Sequence, residues 1–106
     1  MVTYVMLMKL TEHGAREIKG APSRIDSSIK LFESMGGRVR DFFAVAGEYD
    51  YVAIGEAPDD KTAMTFSLAL GSLGTVQITS LKAFSREEFA DIVGRVPVTA
   101  LATARA

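Results

Sequence analysis

Hydrophobic positions recur at two spacings along this chain, and the switches between them divide it into strands and helices. From Thr3 to Leu10 the residues are β-branched or long and apolar, which predicts a first strand. Thr11 follows as an N-cap, and a short helix is expected through Lys19, punctuated by Gly20 and Pro22. A second helical stretch runs to about Met35, with Ile25, Ile29, Phe32 and Met35 on one face, and Gly36-Gly37 ends it. Arg38 to Ala46 reads as strand two, Gly47-Glu48-Tyr49-Asp50 as a hairpin connection, and Tyr51 to Ala57 as strand three. Pro58-Asp59-Asp60 opens a helix whose apolar face is Ala63, Phe66, Leu70 and Leu73, and Gly71 to Gly74 ends it. Val76 to Phe84 reads as strand four. Ser85, with Glu88 in capping-box register, starts a last short helix. Residues 1–94 form one expected domain, and 95–106 a C-terminal tail, frayed or laid on a neighbour.

Strand-helix-strand-strand-helix-strand is the split βαβ order. The fold class is therefore α+β: a ferredoxin-like βαββαβ domain with a four-stranded antiparallel sheet. Right-handed crossovers place strands one and three at its centre. Two main helices cover one face of such a sheet, and a solvated second face would alternate apolar with polar residues. The central strands do not alternate. Tyr4, Met6 and Met8 point one way and Val5 and Leu7 the other; Tyr51 and Ala53 oppose Val52 and Ile54. An apolar patch of that extent is unusual on a monomer, so a homodimer or a multiple of dimers, joined sheet to sheet, is expected; the alternative is that strand ends and the C-terminal helix cover the second face.

The 106 residues suffice for a core without staples. The net charge of -1 and the lack of a basic stripe speak against nucleic acid. With no cysteine and one histidine, thiolate chemistry is excluded and no metal-ligand cluster is present. The apolar N-terminus is stopped by Lys9, too short to span a membrane, and carries no targeting pattern, so the cytoplasm is the expected location.

Gly47-Glu48-Tyr49-Asp50 running into Tyr51-Val52-Ala53-Ile54 resembles the signature of the GYD-domain proteins. The likeness extends from Tyr4-Val5 through Leu70-Gly71-Ser72-Leu73-Gly74 to Phe84. It implies a dimeric α/β barrel and says little about activity. The same turn is also similar to the effector domain of Lrp/AsnC-type regulators. That resemblance implies assemblies that bind small molecules, often amino acids. This chain has no helix-turn-helix, so DNA binding is not carried over.

The topology predicts that Lys9, Thr11, His13, Tyr49, Asp50 and Ser72 gather at one edge. His13 with a carboxylate and a phenol can do acid–base work, although a lone histidine in a first helical turn is more often just solvated. Gly47 supplies freedom for a tight turn, and Asp50 reads first as an acceptor for turn amides. His13, Tyr49, Asp50 and Ser72 are the ligand-binding candidates. Met6, Met8, Met35 and Met64 read as adaptable packing or as the lining of an apolar pocket. No cofactor is called for. The expected function is small-molecule binding or sensing, with an apolar or amino-acid-like ligand. The alternatives are a cofactor-free isomerase- or monooxygenase-like enzyme and a purely structural assembly unit.

Overall fold

The computed structural model describes residues 1–97. Strands β1 (Val2–Leu10), β2 (Arg38–Ala44), β3 (Tyr51–Ala57) and β4 (Val76–Ala83) form one antiparallel sheet in the order β2-β3-β1-β4. The helices are α1 (Glu12–Arg16), α2 (Ala21–Ser34), α3 (Asp60–Ser72) and α4 (Arg86–Gly94). This is the expected ferredoxin-like fold, with β1 and β3 central. Strands β2 and β4 stop short of the predicted Ala46 and Phe84. The first helix also ends early: at Glu17 the chain tightens into a 3-10 turn over Ile18–Gly20, and Pro22 sits in the first turn of α2, where a missing N–H costs nothing. Of the expected tail 95–106, residues 98–106 lie outside the described residues.

The core lies between α2, α3 and one sheet face. Met6 and Met8 from β1 and Tyr51, Ala53 and Ala57 from β3 are buried there with Phe32, Ala63, Phe66 and Leu70 from the helices. Phe32 is 2% exposed, and its ring meets Phe66 at 4.7 Å between centroids. Truncating such a ring to alanine costs about 3–5 kcal/mol. Two expected core positions are corrected. Leu73 is 62% exposed because it lies past the end of α3, and Met64 is equally exposed on that helix's outer face.

An irregularity in β2 decides which side chains reach this core. Val39 pairs with Gly55 and Asp41 with Ile54, leaving Arg40 without a partner. This β-bulge shifts the alternation by one residue. Val39 and Phe42, of opposite parity, therefore both pack against the core, while Phe43 opposes Val52 and is exposed on the other face.

Gly14 joins α1 to the sheet. A Cβ there would lie 2.1 Å from the Thr75 carbonyl oxygen, so only glycine allows the backbones this close.

Candidate functional site

The edge formed by the ends of β1 and α3 and the starts of β3 and β4 is held together by its own polar groups. The Thr11 hydroxyl accepts from the Gly14 amide at 3.1 Å and donates to the Gly74 carbonyl at 2.6 Å. The Thr11 amide donates to the Thr75 carbonyl at 3.0 Å. Asp50 is tied at three points. Its carboxylate accepts from the Leu10 amide at 2.8 Å, its amide donates to the Met8 carbonyl at 2.9 Å, and its carbonyl accepts from the Val45 amide at 2.9 Å. The carboxylate thus serves a strand amide of β1 rather than an amide within the hairpin turn. Gly47, at φ +147°, carries the reversal.

The remaining candidates divide between this cluster and the surface. The Lys9 ammonium lies 5.4 Å from the centre of the Tyr49 ring and 3.8 Å from the Glu48 carboxylate. Ser72 donates to the Ala69 carbonyl of its own helix. His13 is exposed on α1 and, among the described residues, makes no side-chain hydrogen bond to Asp50 or Tyr49. Lys9 and Tyr49 meet, and Asp50 meets Leu10; His13 and Ser72 stay apart from them in bonding.

A second polar group lies toward the opposite end of β1. Asp59 caps α3 by accepting from the Thr62 amide at 2.8 Å, a bond that lowers its pKa. In the next position, Asp60 accepts from the Lys82 ammonium at 2.8 Å and from the Tyr4 hydroxyl at 2.9 Å. Both bonds lower the Asp60 pKa, the Lys82 bond first. Lys82 is raised by the same bond, and Tyr4 is raised by desolvation and then by its bond to Asp60. The Tyr4 and Lys82 partnership follows from their pairing across β1 and β4. It fastens the start of α3 to the sheet.

The sheet face opposite α2 and α3 is apolar at its centre and polar at its margins, where Asp41 pairs with Ile54 and Thr79 with Leu7. Val5 pairs with Ile54 and Leu81, and Leu7 pairs with Val52, all on that face. Phe43 is 56% exposed and Leu81 48% exposed there. Within one chain α4 does not cover it, since α4 has no buried residue and Phe89 and Val93 are exposed.

On the helix side, α2 and the sheet enclose a part-open cavity of about 60 Å³. Its walls include Met6, Met8, Ile25, Phe42, Phe66 and Leu70, with the hydroxyl residues Ser28, Tyr51 and Thr75. Arg24 is the one charged residue of the lining, which holds no histidine and no carboxylate. The sequence reading did not single out Arg24. The signal was its position beside Ile25, one turn before Ser28, at the border of the apolar face of α2.

The chain matches the family model of the GYD domain over residues 4–93. It is 35% identical over 97 residues to a Thermus thermophilus protein named "Glutamine synthetase and cystathionine beta-lyase binding protein", covering 91% of this chain and 99% of that one. Among solved structures it is similar to FFRP-DM1, with a TM-score of 0.57 and 22% identity over 79% of this chain and all of that one. It is also similar to a hypothetical protein, PHS023, from Pyrococcus horikoshii, with a TM-score of 0.53 and 22% identity over 81% of this chain and 93% of that one. The two structural likenesses bear on the fold alone.

Proposed function

The chain belongs to the GYD domain family, and we propose that it is a cytoplasmic binding or sensing module: a homodimer that takes a small molecule and docks on a metabolic enzyme. The observation that carries this reading is the chemistry of the helix-side cavity. Its walls are mostly apolar, with a few polar groups and one cation, and no carboxylate or imidazole converges on it as acid–base catalysis would require. A lining of that kind favours binding over acid–base catalysis.

The open sheet face supports the homodimer. A contiguous patch built from Val5, Leu7, Phe43, Val52, Ile54 and Leu81 is unfavourable in water, and a second copy offers the same patch in return. The enzyme partner rests on the name of the Thermus thermophilus relative, which designates that protein as binding glutamine synthetase and cystathionine β-lyase.

Native mass spectrometry of gently purified protein reads stoichiometry and retained ligand together, with a dimer carrying extra small-molecule mass expected. Biolayer interferometry against glutamine synthetase and cystathionine β-lyase from the same cells tests docking. A clean monomer removes the dimer, and silence with both enzymes removes the docking partner.

A further inference from the structure

We propose that the helix-side cavity is a site for a small monocarboxylate, whose short hydrocarbon body fills the apolar space while its carboxylate is held by Arg24. The inference rests on the binding reading above and assigns its ligand class.

Arg24 is half-buried on α2, and its guanidinium bends back over the turn before that helix. One terminal nitrogen donates to the Glu17 carbonyl at 2.7 Å and the other to the Gly14 carbonyl at 3.4 Å. These bonds fix the group without neutralising it, because both acceptors are uncharged. Among the described residues, no carboxylate lies within ion-pair distance of it, whereas Arg16, Arg38 and Arg95 each have one. A guanidinium carries five N–H groups, so donors remain for a further acceptor. A positioned cation with spare donors, beside apolar walls, selects a planar anion of matching geometry.

The rest of the ligand follows from size and from what the wall lacks. At about 10–15 Å³ for each water-sized position, 60 Å³ holds roughly four to six heavy atoms. That is a short hydrocarbon chain with its head group left at Arg24. An α-amino acid fits poorly, because its ammonium would be desolvated with no carboxylate in the lining to pair with it. A neutral amide of the same shape keeps the hydrocarbon contact but loses the charge-assisted bond.

The test compares 4-methylvalerate, 4-methylvaleramide and leucine on the wild-type protein, with affinity read by calorimetry and location by amide chemical shifts. The acid is expected to bind at least ~10-fold more tightly than the other two, the factor one charge-assisted hydrogen bond supplies. Its largest shifts are expected in α2 from Arg24 to Ile29 and in Tyr51. Arg24→Met should abolish the preference for acid over amide, and Arg24→Lys should keep part of it. Because Arg24 also braces the Gly14 and Glu17 carbonyls, the wild-type comparison stands even if Arg24→Met does not fold. Equal binding of acid and amide overturns the Arg24 anchor and leaves the cavity as a ligand site. Tighter binding of leucine overturns the monocarboxylate class. Shifts confined to Thr11 and Asp50 overturn the location. Silence from all three probes, with no mass retained on the purified protein, overturns the binding reading itself.

Discussion

The carboxylate of Asp50 lies 2.8 Å from the amide nitrogen of Leu10 and acts as one more carbonyl of the β1–β3 ladder. The regular pairing of the two strands stops at Met8 and Tyr51. The main-chain bond from Asp50 to Met8 and the side-chain bond to Leu10 carry the contact further, to the residue from which the chain turns into α1. Asp50→Ala leaves the Leu10 amide without this acceptor and should lower stability by about 1–2 kcal/mol. Asp50→Asn keeps an acceptor oxygen and should cost less. Urea titrations of both variants give the comparison, and equal losses would contradict this role.

Two glycines separate steric from conformational cost. Gly14→Ala drives a methyl group into the Thr75 backbone, and neither element can yield without breaking the Thr11 to Thr75 bond. A loss at or above the usual ~1–3 kcal/mol of overpacking is expected. Gly47→Ala meets nothing within 4 Å, so its cost is that of a side chain held at φ +147°. A loss of about 1–3 kcal/mol is expected there. Thermal melts should place Gly14→Ala below Gly47→Ala, since only the former also forces backbone apart.

Val52→Glu places a charge in the middle of the open sheet face. Val52 is only half-buried in the single chain, so the fold should survive, while a sheet-to-sheet contact would bury the charge without a partner. Light scattering at micromolar concentration should show the wild type as a dimer and the variant as a monomer with an unchanged far-ultraviolet spectrum.

The Tyr4, Asp60 and Lys82 group makes stability depend on pH in a defined direction. Asp60 is depressed in the folded state, so its contribution is complete above its unfolded pKa of about 3.9 and is lost as pH falls through the lower folded value. Lys82 and Tyr4 are raised, so theirs is complete below about 10 and is lost as pH rises through their folded values. In Asp60→Asn both limbs should flatten relative to wild type. Melting temperatures from pH 2 to 11 check this; parallel curves for the two proteins would count against it.

Local regularity decided what was legible in the sequence. The two-sided apolar character of β1 and β3 follows from strict alternation, and the structure divides Met6 and Met8 from Val5 and Leu7 as that alternation requires. The Ser85 and Glu88 capping box is a contact between residues one turn apart and was equally readable. Leu73 misled because periodicity does not mark where a helix stops being packed. The candidate edge was legible as a meeting of chain segments, yet Asp50 bonds to a residue forty positions earlier, which no local pattern specifies. Arg24 was hidden for a related reason: the carbonyls that hold it belong to a turn whose path depends on the close approach of Gly14 to Thr75.

The unpaired Arg40 gives this domain an uncommon response to a change of length. Removing a residue from a strand ordinarily turns its remaining side chains inside out. Here the exposed Arg40 has no cross-strand partner, so its deletion brings Val39 and Asp41 into plain succession opposite Gly55 and Ile54. Phe42 keeps its place against the core and Phe43 keeps its place outside. The Arg40 deletion should therefore fold with a melting temperature near that of the wild type, whereas the single exchange Phe42→Glu should lower it clearly. In this strand the reading frame carries one spare position, and an event that shortens the chain is gentler than one that rewrites it.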